Sequence, residues 1–313
     1  MSTQPVSRSP AIARLLSKSI DYAGLFPPAS LPVSEAMEMF KRYLQGRESW
    51  IVNSIVLPID RLTEAAGSFD DTPLRLTATS RRTEDSHQWL GRLEEDCGQL
   101  RSFQAAHPQV AIQALEIPLP KSGDTRETAK RVEELAPLVK DHRVFLELPP
   151  GESSSFRDEL AATIAALQRH RLSLWGIKLR MGGTVADAFP SVATVADVLA
   201  TVRDHQVPIK FTAGLHHPLR HWNNDLGAHM HGFINVLMAA MFAHACRLPP
   251  KNIETILADE RSKDFVFNGN VARWLDLPIR TELIEDLRRL IVGFGSCSVD
   301  EPLDDLRALG WLD

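Results

Sequence analysis

Residues 143–214 read RVFLELPPGESSSFRDELAATIAALQRHRLSLWGIKLRMGGTVADAFPSVATVADVLATVRDHQVPIKFTAG. Three short apolar runs stand out in it: Arg143 to Leu148, Leu172 to Arg180 and Val207 to Gly214. The first is closed by Pro149-Pro150-Gly151 and followed by a helical pattern near 155 to 170. The second is followed by a helix carrying Val192, Val195, Val198, Leu199 and Val202 on one side. Short apolar runs that alternate with amphipathic helices predict parallel strands joined by helical crossovers. The same alternation extends outward on both sides. Upstream lie Ser19 to Leu25 (SIDYAGL), Trp50 to Leu57 (WIVNSIVL), Leu74 to Ser80 (LRLTATS) and Val110 to Leu119 (VAIQALEIPL). Between them, Ser34 to Gln45 places Ala36, Met37, Phe40, Tyr43 and Leu44 on one helical face. A long helical pattern runs to about Ala106, and Asp124-Thr125-Arg126-Glu127 is a helix-opening cap. Downstream, Leu290 to Ser298 (LIVGFGSCS) is the last strand candidate, and Pro302 to Leu312 can form a closing helix.

Eight strands alternating with helices predict an α/β fold of the closed (β/α)8, or TIM-barrel, type. No Gly-x-Gly-x-x-Gly run follows an early strand, which removes a dinucleotide-binding sheet from consideration. The 313 residues fit one such barrel of about 250 residues plus an insertion. The insertion is expected over about 216–288, mostly helical, between strands seven and eight. A single domain is expected over 11–313, behind a disordered tail at 1–10.

Composition narrows the function further. With 44% hydrophobic and 24% charged residues, the chain has the makeup of a folded globular protein. Its longest apolar stretch, Val236 to Ala243, is far short of the roughly 20 residues that span a bilayer. The opening MSTQPVSRSP lacks the apolar core of a secretory signal, so a cytoplasmic location is expected. A net charge of -5 with scattered Lys and Arg gives no footprint for nucleic acid. Cys97, Cys246 and Cys297 are odd in number and far apart, which suits reduced thiols. The expected partner is a small molecule, with neither nucleic acid nor membrane involved. Val236 to Phe242 reads as core or as a subunit contact, which leaves a homo-oligomer open.

In a barrel the reacting groups stand at the C-terminal ends of the strands, so charged residues inside apolar strands are the informative ones. Glu116, Glu147, Lys178 with Arg180, and Lys210 with Thr212 interrupt strands four to seven. Lys178, Arg180 and Lys210 on adjacent strands would repel one another, and such crowding lowers a lysine pKa and frees a nucleophilic amine. Imine chemistry follows from that reading. In the plainer alternative one lysine snorkels outward and the other cations pair with Glu116 and Glu147, and Glu147 serves only as a structural ion-pair partner.

Strand by strand, the chain resembles the class I aldolases of the deoxyribose-phosphate aldolase type. Ser19 to Leu25 resembles the family's opening isoleucine-aspartate strand, and Val144 to Glu147 its fifth strand. Gly176-Ile177-Lys178 stands where the imine lysine stands, and Pro208 to Gly214 resembles the strand with the second lysine. Gly293 to Ser298 resembles the eighth-strand turn that holds the substrate phosphate. The chain departs from the pattern after Lys178, where Leu179-Arg180-Met181-Gly182-Gly183 replaces a Thr-Ser-Thr-Gly turn. It departs again on strand four, where Glu116 is the counterpart of an aspartate. The resemblance implies Lys178 as imine nucleophile, Lys210 as its electrostatic tuner and Glu116 as proton-transfer group. Arg180, with Gly295, Ser296 and Ser298, would then hold an anion.

Five of the eleven histidines (His216, His217, His221, His229, His231) follow strand seven within sixteen residues. His217 and His221 have the i, i+4 spacing of zinc ligands if Pro218 opens a helix, so a zinc or similar divalent site at His216, His217 and His221 is the metal-bound alternative. In the other reading no cofactor is needed, and His216 and His217 act as acid/base groups. Asp21 and Asn53 are candidates for the barrel mouth, although Asp21 could instead cap the turn at Gly24. Taken together, the sequence predicts an imine-forming aldolase-like lyase acting on a small carbonyl compound that carries a phosphate or carboxylate. The alternatives are a metal-dependent hydrolase or isomerase using the histidines, and a barrel that binds a metabolite without turning it over.

Overall fold

The computed structural model describes residues 9–69, 73–83, 85–121, 124–139, 141–148 and 154–312. Most of the expected tail, and the Pro149-Pro150-Gly151 stop, fall outside these residues. Ser9 and Pro10 fall inside them, where Ser9 caps the first helix and Pro10 opens it.

Seven parallel strands come first: β1 (Ile20–Tyr22), β2 (Val52–Pro58), β3 (Leu74–Thr79), β4 (Val110–Pro118), β5 (Val144–Glu147), β6 (Gly176–Arg180) and β7 (Ile209–Thr212). Between and before them run α1 (Pro10–Leu16), α2 (Val33–Gln45), α3 (Leu62–Ala65), α4 (Ser86–Ala106), α5 (Thr125–Val139), α6 (Ser154–Arg169) and α7 (Val192–Asp204). The eighth barrel strand, β13 (Ile291–Ser296), pairs with both β7 and β1 and closes the barrel, as the eightfold alternation predicts. The helix α11 (Asp300–Ala308) follows it.

The segment between β7 and β13 is more mixed than its composition suggests. It contains a hairpin of β8 (His221–Asn223) and β9 (Ala228–Met230), then α8 (Phe233–Cys246) and α9 (Pro250–Leu257). A three-stranded antiparallel sheet of β10 (Phe265–Asn268), β11 (Val271–Trp274) and β12 (Leu277–Arg280) precedes α10 (Thr281–Leu287). Helix still outweighs strand in it. Strands of three or four residues are too short to show a period, which is why only the helices were legible.

Apolar residues cover every side of α8, and every residue from Phe233 to Ala243 is buried. Such a helix must lie inside a core. Phe233 stacks on Phe294 of β13 at 4.9 Å, so α8 takes the place of the crossover helix between β7 and β13. The Val236 to Phe242 stretch is therefore core, and it is not available as a subunit contact. Among the described residues, no helix is long and apolar enough to cross a membrane.

Asn235 is the one polar side chain fully enclosed in α8, and it ties the insertion together. Its Nδ2 donates to the carbonyls of Ile256 (2.9 Å) and Asp259 (2.7 Å), and its Oδ1 accepts the Arg220 amide at 2.8 Å. Truncating it leaves three backbone groups without partners, two of them in fully buried bonds and the Arg220 amide in a partly buried one, at about 1 to 3 kcal/mol for each buried group before relaxation. We expect Asn235→Ala to lower unfolding stability by about 3 kcal/mol or more in a urea titration. Asn223→Ala, on the half-buried hairpin, should fall within about 1 kcal/mol of wild type.

Candidate active site

Parallel register decides which side chains meet in the barrel. Glu147 of β5 is the Cα partner of Lys178 on β6, and Lys178 is the partner of Lys210 on β7. Partners across parallel strands point to the same face, so all three enter the interior together. Glu116 reaches them from β4 and Asp21 from β1.

The lysines are not crowded against each other, because carboxylates alternate with them. Lys178 Nζ lies 2.5 Å from Glu116 Oε2 and 2.9 Å from Glu147 Oε2. Lys210 Nζ donates to the other oxygen of Glu116 and lies 2.5 Å from Asp21 Oδ2. Beyond these, Glu147 pairs with Arg82, and Arg180 Nη1 stands 4.0 Å from the same carboxylate. Asp21 Oδ1 accepts hydrogen bonds from Ser54 Oγ and from Asn53 Nδ2 (2.8 Å), and Ser54 shares a 2.7 Å bond with Thr77. A continuous row of alternating sign, from Arg82 to Asp21, thus crosses the barrel.

This corrects the crowding argument in favour of pairing, but neither lysine snorkels outward, since both are buried and both meet carboxylates. Burial pulls both lysine pKa values down. For Lys178, Glu116 and Glu147 more than offset that pull, and for Lys210, Asp21 and Glu116 do the same, so both stay above the ordinary lysine range. Burial would likewise push Glu116 up, but Lys178 and Lys210 hold it down to about 2. Glu147 is lowered as well, by Lys178 and then Arg82 against burial. In the resting protein Lys178, Lys210, Glu116 and Glu147 are therefore all charged near neutral pH.

Lys178 and Lys210 differ in access. A cavity of about 220 Å³ opens at the C-terminal mouth, with Lys178 and Glu116 at its floor and Thr79, Arg180, Thr212, Gly295, His216 and Cys297 around it. Lys178 is 8% exposed, whereas Lys210 is 1% exposed and does not line this cavity. The wall is shaped by close approach of two loops. Gly214 has φ of +71°, and a Cβ there would come within 3.0 Å of both Gly182 and Phe189, so glycine lets the β6 and β7 loops pack together.

Several expected residues fall elsewhere. Asp21 and Asn53 line a separate cavity at the N-terminal end instead of the mouth, since Asn53 is only the second residue of β2. Asp21 spends its carboxylate on Lys210, Asn53 and Ser54, and no turn at Gly24 is capped by it. Ser298 Oγ accepts the Glu301 amide and Ser296 Oγ the Ser298 amide, so this turn is committed to starting α11.

Two of the five histidines, His216 and His217, meet that helix. His216 Nδ1 is 3.2 Å from Glu301 and 3.7 Å from Cys297 Sγ, and it alone of the five reaches the cavity wall. Burial lowers its pKa despite Glu301. His217 Nδ1 meets Asp305 at 2.6 Å. Pro218 opens no helix; His221 lies in β8, with its Nδ1 donating to Leu219 O at 3.1 Å. His229 pairs with Glu260 at 3.1 Å, and His231 Nε2 donates to the Pro190 carbonyl at 2.7 Å; burial lowers the His231 pKa to about 4 although that carbonyl opposes it. Among the described residues, no group of three or more His, Cys, Asp or Glu side chains is arranged to hold a metal ion. Residues missed from the sequence include Arg82, Ser54 and Thr77. Arg82 lies three residues beyond the end of β3, and the rule that chemistry sits beyond strand C-termini could have flagged it.

No protein family and no curated protein matches this chain by sequence. Among solved structures it is similar to deoxyribose phosphate aldolase from Aeropyrum pernix, a protein described as having a unique tetrameric structure. The two share 10% identity and a TM-score of 0.55, over 95% of this chain and 93% of that one. At that identity the similarity is remote and is one of fold.

Because the pKa of Glu116 is depressed on folding, its ionisation stabilises the native state above the ordinary carboxylate value of 4.5 and that contribution is lost as pH falls towards about 2. Urea midpoints of the wild type should therefore drop across this window, and Glu116→Gln should show a shallower drop. Parallel curves for the two proteins would mean that Glu116 is not held as a buried anion.

Proposed function

We propose that the chain is an imine-forming, class I aldolase-like lyase acting on a small carbonyl compound. The observation that supports this most is Lys178. It is a lysine on the sixth strand, at the floor of the mouth cavity, with two carboxylates within 2.9 Å.

The resting ammonium must first release a proton, and Glu116 and Glu147 are the bases in contact with it. The freed Nζ lone pair forms a C–N bond to the substrate carbonyl carbon, while the carbonyl π pair takes up the proton. Loss of water leaves a protonated imine. Nζ carries one positive charge before and after, so the carboxylates that stabilise the ammonium stabilise the iminium without rearranging. A base then removes the β-hydroxyl proton, the Cα–Cβ bond breaks, and its electron pair enters the iminium to give a neutral enamine and a free aldehyde. Protonation of the enamine carbon and hydrolysis by water release the second product and return the amine.

Glu116 suits proton transfer at the imine carbon side, because it touches Lys178 and has Lys210 behind it as a counter-charge. Lys210 is sealed from the cavity and tunes Glu116. His216, neutral near pH 7 and on the wall, is placed for the hydroxyl proton, with Thr212 beside it. Arg180 is the cation at the mouth for a carboxylate or phosphate on the substrate. The reaction draws on no cofactor, and it fits a cytoplasmic enzyme. A homo-oligomer belongs to the proposal because the similar aldolase is described as tetrameric.

Incubation with a panel of small aldehydes and ketones plus borohydride should add mass to the peptide containing Lys178, and Lys178→Ala should abolish the adduct. Labelling at Lys210 alone would move the nucleophile to β7. No adduct with any carbonyl would favour a non-catalytic binding barrel or a metal-dependent enzyme.

Among the described residues, Arg180 is half-buried and has a 3.1 Å bond to the Gly182 carbonyl besides its contact with Glu147. Arg180→Ala should weaken carboxylate or phosphate substrate analogues by about tenfold or more while changing stability by less than about 1 kcal/mol. Unchanged affinity in a calorimetric titration would discard this role.

A further inference from the structure

At the end of the barrel opposite Arg180 lies a second cavity, of about 270 Å³, framed by the starts of the strands. Its wall carries five cations, Arg14, Lys18, Arg143, Lys210 and Arg288, and two carboxylates, Asp21 and Glu285. Both carboxylates are engaged already. Asp21 holds Lys210 at 2.5 Å, and Glu285 lies 3.6 Å from Arg14.

The other three cations donate to backbone carbonyls. Lys18 Nζ reaches Ser49 O at 2.8 Å, Arg143 Nη2 reaches Arg289 O at 3.2 Å, and Arg288 donates to Ile291 O at 2.6 Å and Ser17 O at 3.0 Å. A carbonyl dipole orients a cation but does not cancel its charge, and each guanidinium offers five donors. Burial holds Arg288 down to about 10; Asp21 opposes this and Arg143 adds to it. Phe145 forms the inner wall, its ring 5.3 Å from the Arg143 guanidinium and 5.9 Å from the Lys210 ammonium. This end of a barrel ordinarily serves stability alone. Like charges gathered around a half-enclosed space work against stability unless an anion joins them.

We propose that this N-terminal cavity is a binding site for a phosphate-sized oxyanion, held by Lys18, Arg143 and Arg288. Two guanidinium groups and an ammonium supply the forked and point-charge donors that recognise such oxyanions. The volume lies just below the roughly 300 to 1,000 Å³ of pockets for drug-sized ligands, which suits a small ion or the charged end of a small metabolite. The site is independent of the imine chemistry at the mouth, and it stands or falls separately.

The probe is inorganic phosphate, titrated calorimetrically into the full chain at constant ionic strength in a buffer free of other oxyanions. The background is Arg180→Ala, which removes the cation of the C-terminal mouth. Saturable binding should survive in Arg180→Ala and weaken by about tenfold or more when Arg143→Gln is added, the loss expected for charge-assisted hydrogen bonds. Lys18→Met, on the same background, should weaken it in the same direction and serves if Arg143→Gln does not fold by circular dichroism. Absence of binding in the wild type, loss of binding in Arg180→Ala alone, or unchanged affinity in the folded Arg143→Gln or Lys18→Met protein overturns the proposal.

Discussion

Two lysines can occupy the interior of this barrel only because three carboxylates stand between and beside them. Isolated ammonium groups at such depth would lose their protons or unfold the chain. Here Asp21, Glu116 and Glu147 interleave with Lys210 and Lys178, and Arg82 closes the row from outside. Removing one member strands a buried charge, at a cost of about 3 to 5 kcal/mol. The register of β4 to β7, the closure by β13 and the placement of β1 all serve to hold this row in line. Stability and the proposed chemistry therefore draw on the same contacts.

The row also separates the two ends of the barrel. Lys178 sits under the C-terminal mouth, whereas Asp21 and Lys210 reach the cavity at the N-terminal end. Glu116 joins the two halves, with one oxygen on each lysine. A lysine stored as an ammonium is a poor nucleophile, but under the proposed imine chemistry it has a base in contact and an environment that would match the charge of an iminium. The loops above it, packed at Gly182 and Gly214, shape the cavity of about 220 Å³ at the mouth.

The barrel was legible because its strands are bounded by Pro and Gly and separated by amphipathic helices, so eight periods could be counted along the chain. Glu116, Glu147, Lys178 and Lys210 were legible for a related reason: a charge inside a buried strand contradicts its surroundings. Their mutual arrangement was not, since sequence gives strand order but not which carboxylate oxygen meets which ammonium. That is why crowding and pairing both remained open until the register was known. Asp21 and Asn53 were placed at the wrong end because depth along a strand depends on where the strand starts, to within a residue or two. The histidine cluster misled through its spacing: His217 and His221 are four apart, but Pro218 to Arg220 run irregularly into β8 instead of forming a helix turn. Arg82, Glu301 and Asp305 pair with site residues through tertiary contacts that no local pattern records.

The central claim is that both buried lysines are held charged by their carboxylate neighbours. Nitrogen-15 NMR of the lysine side chains, with Lys178→Met and Lys210→Met for assignment, reads their protonation directly. Both Nζ groups should remain ammonium through neutrality and up to at least the ordinary lysine value of about 10.4. Titration of either one near neutral pH would contradict the account, because it would mean that burial and mutual repulsion outweigh Asp21, Glu116 and Glu147.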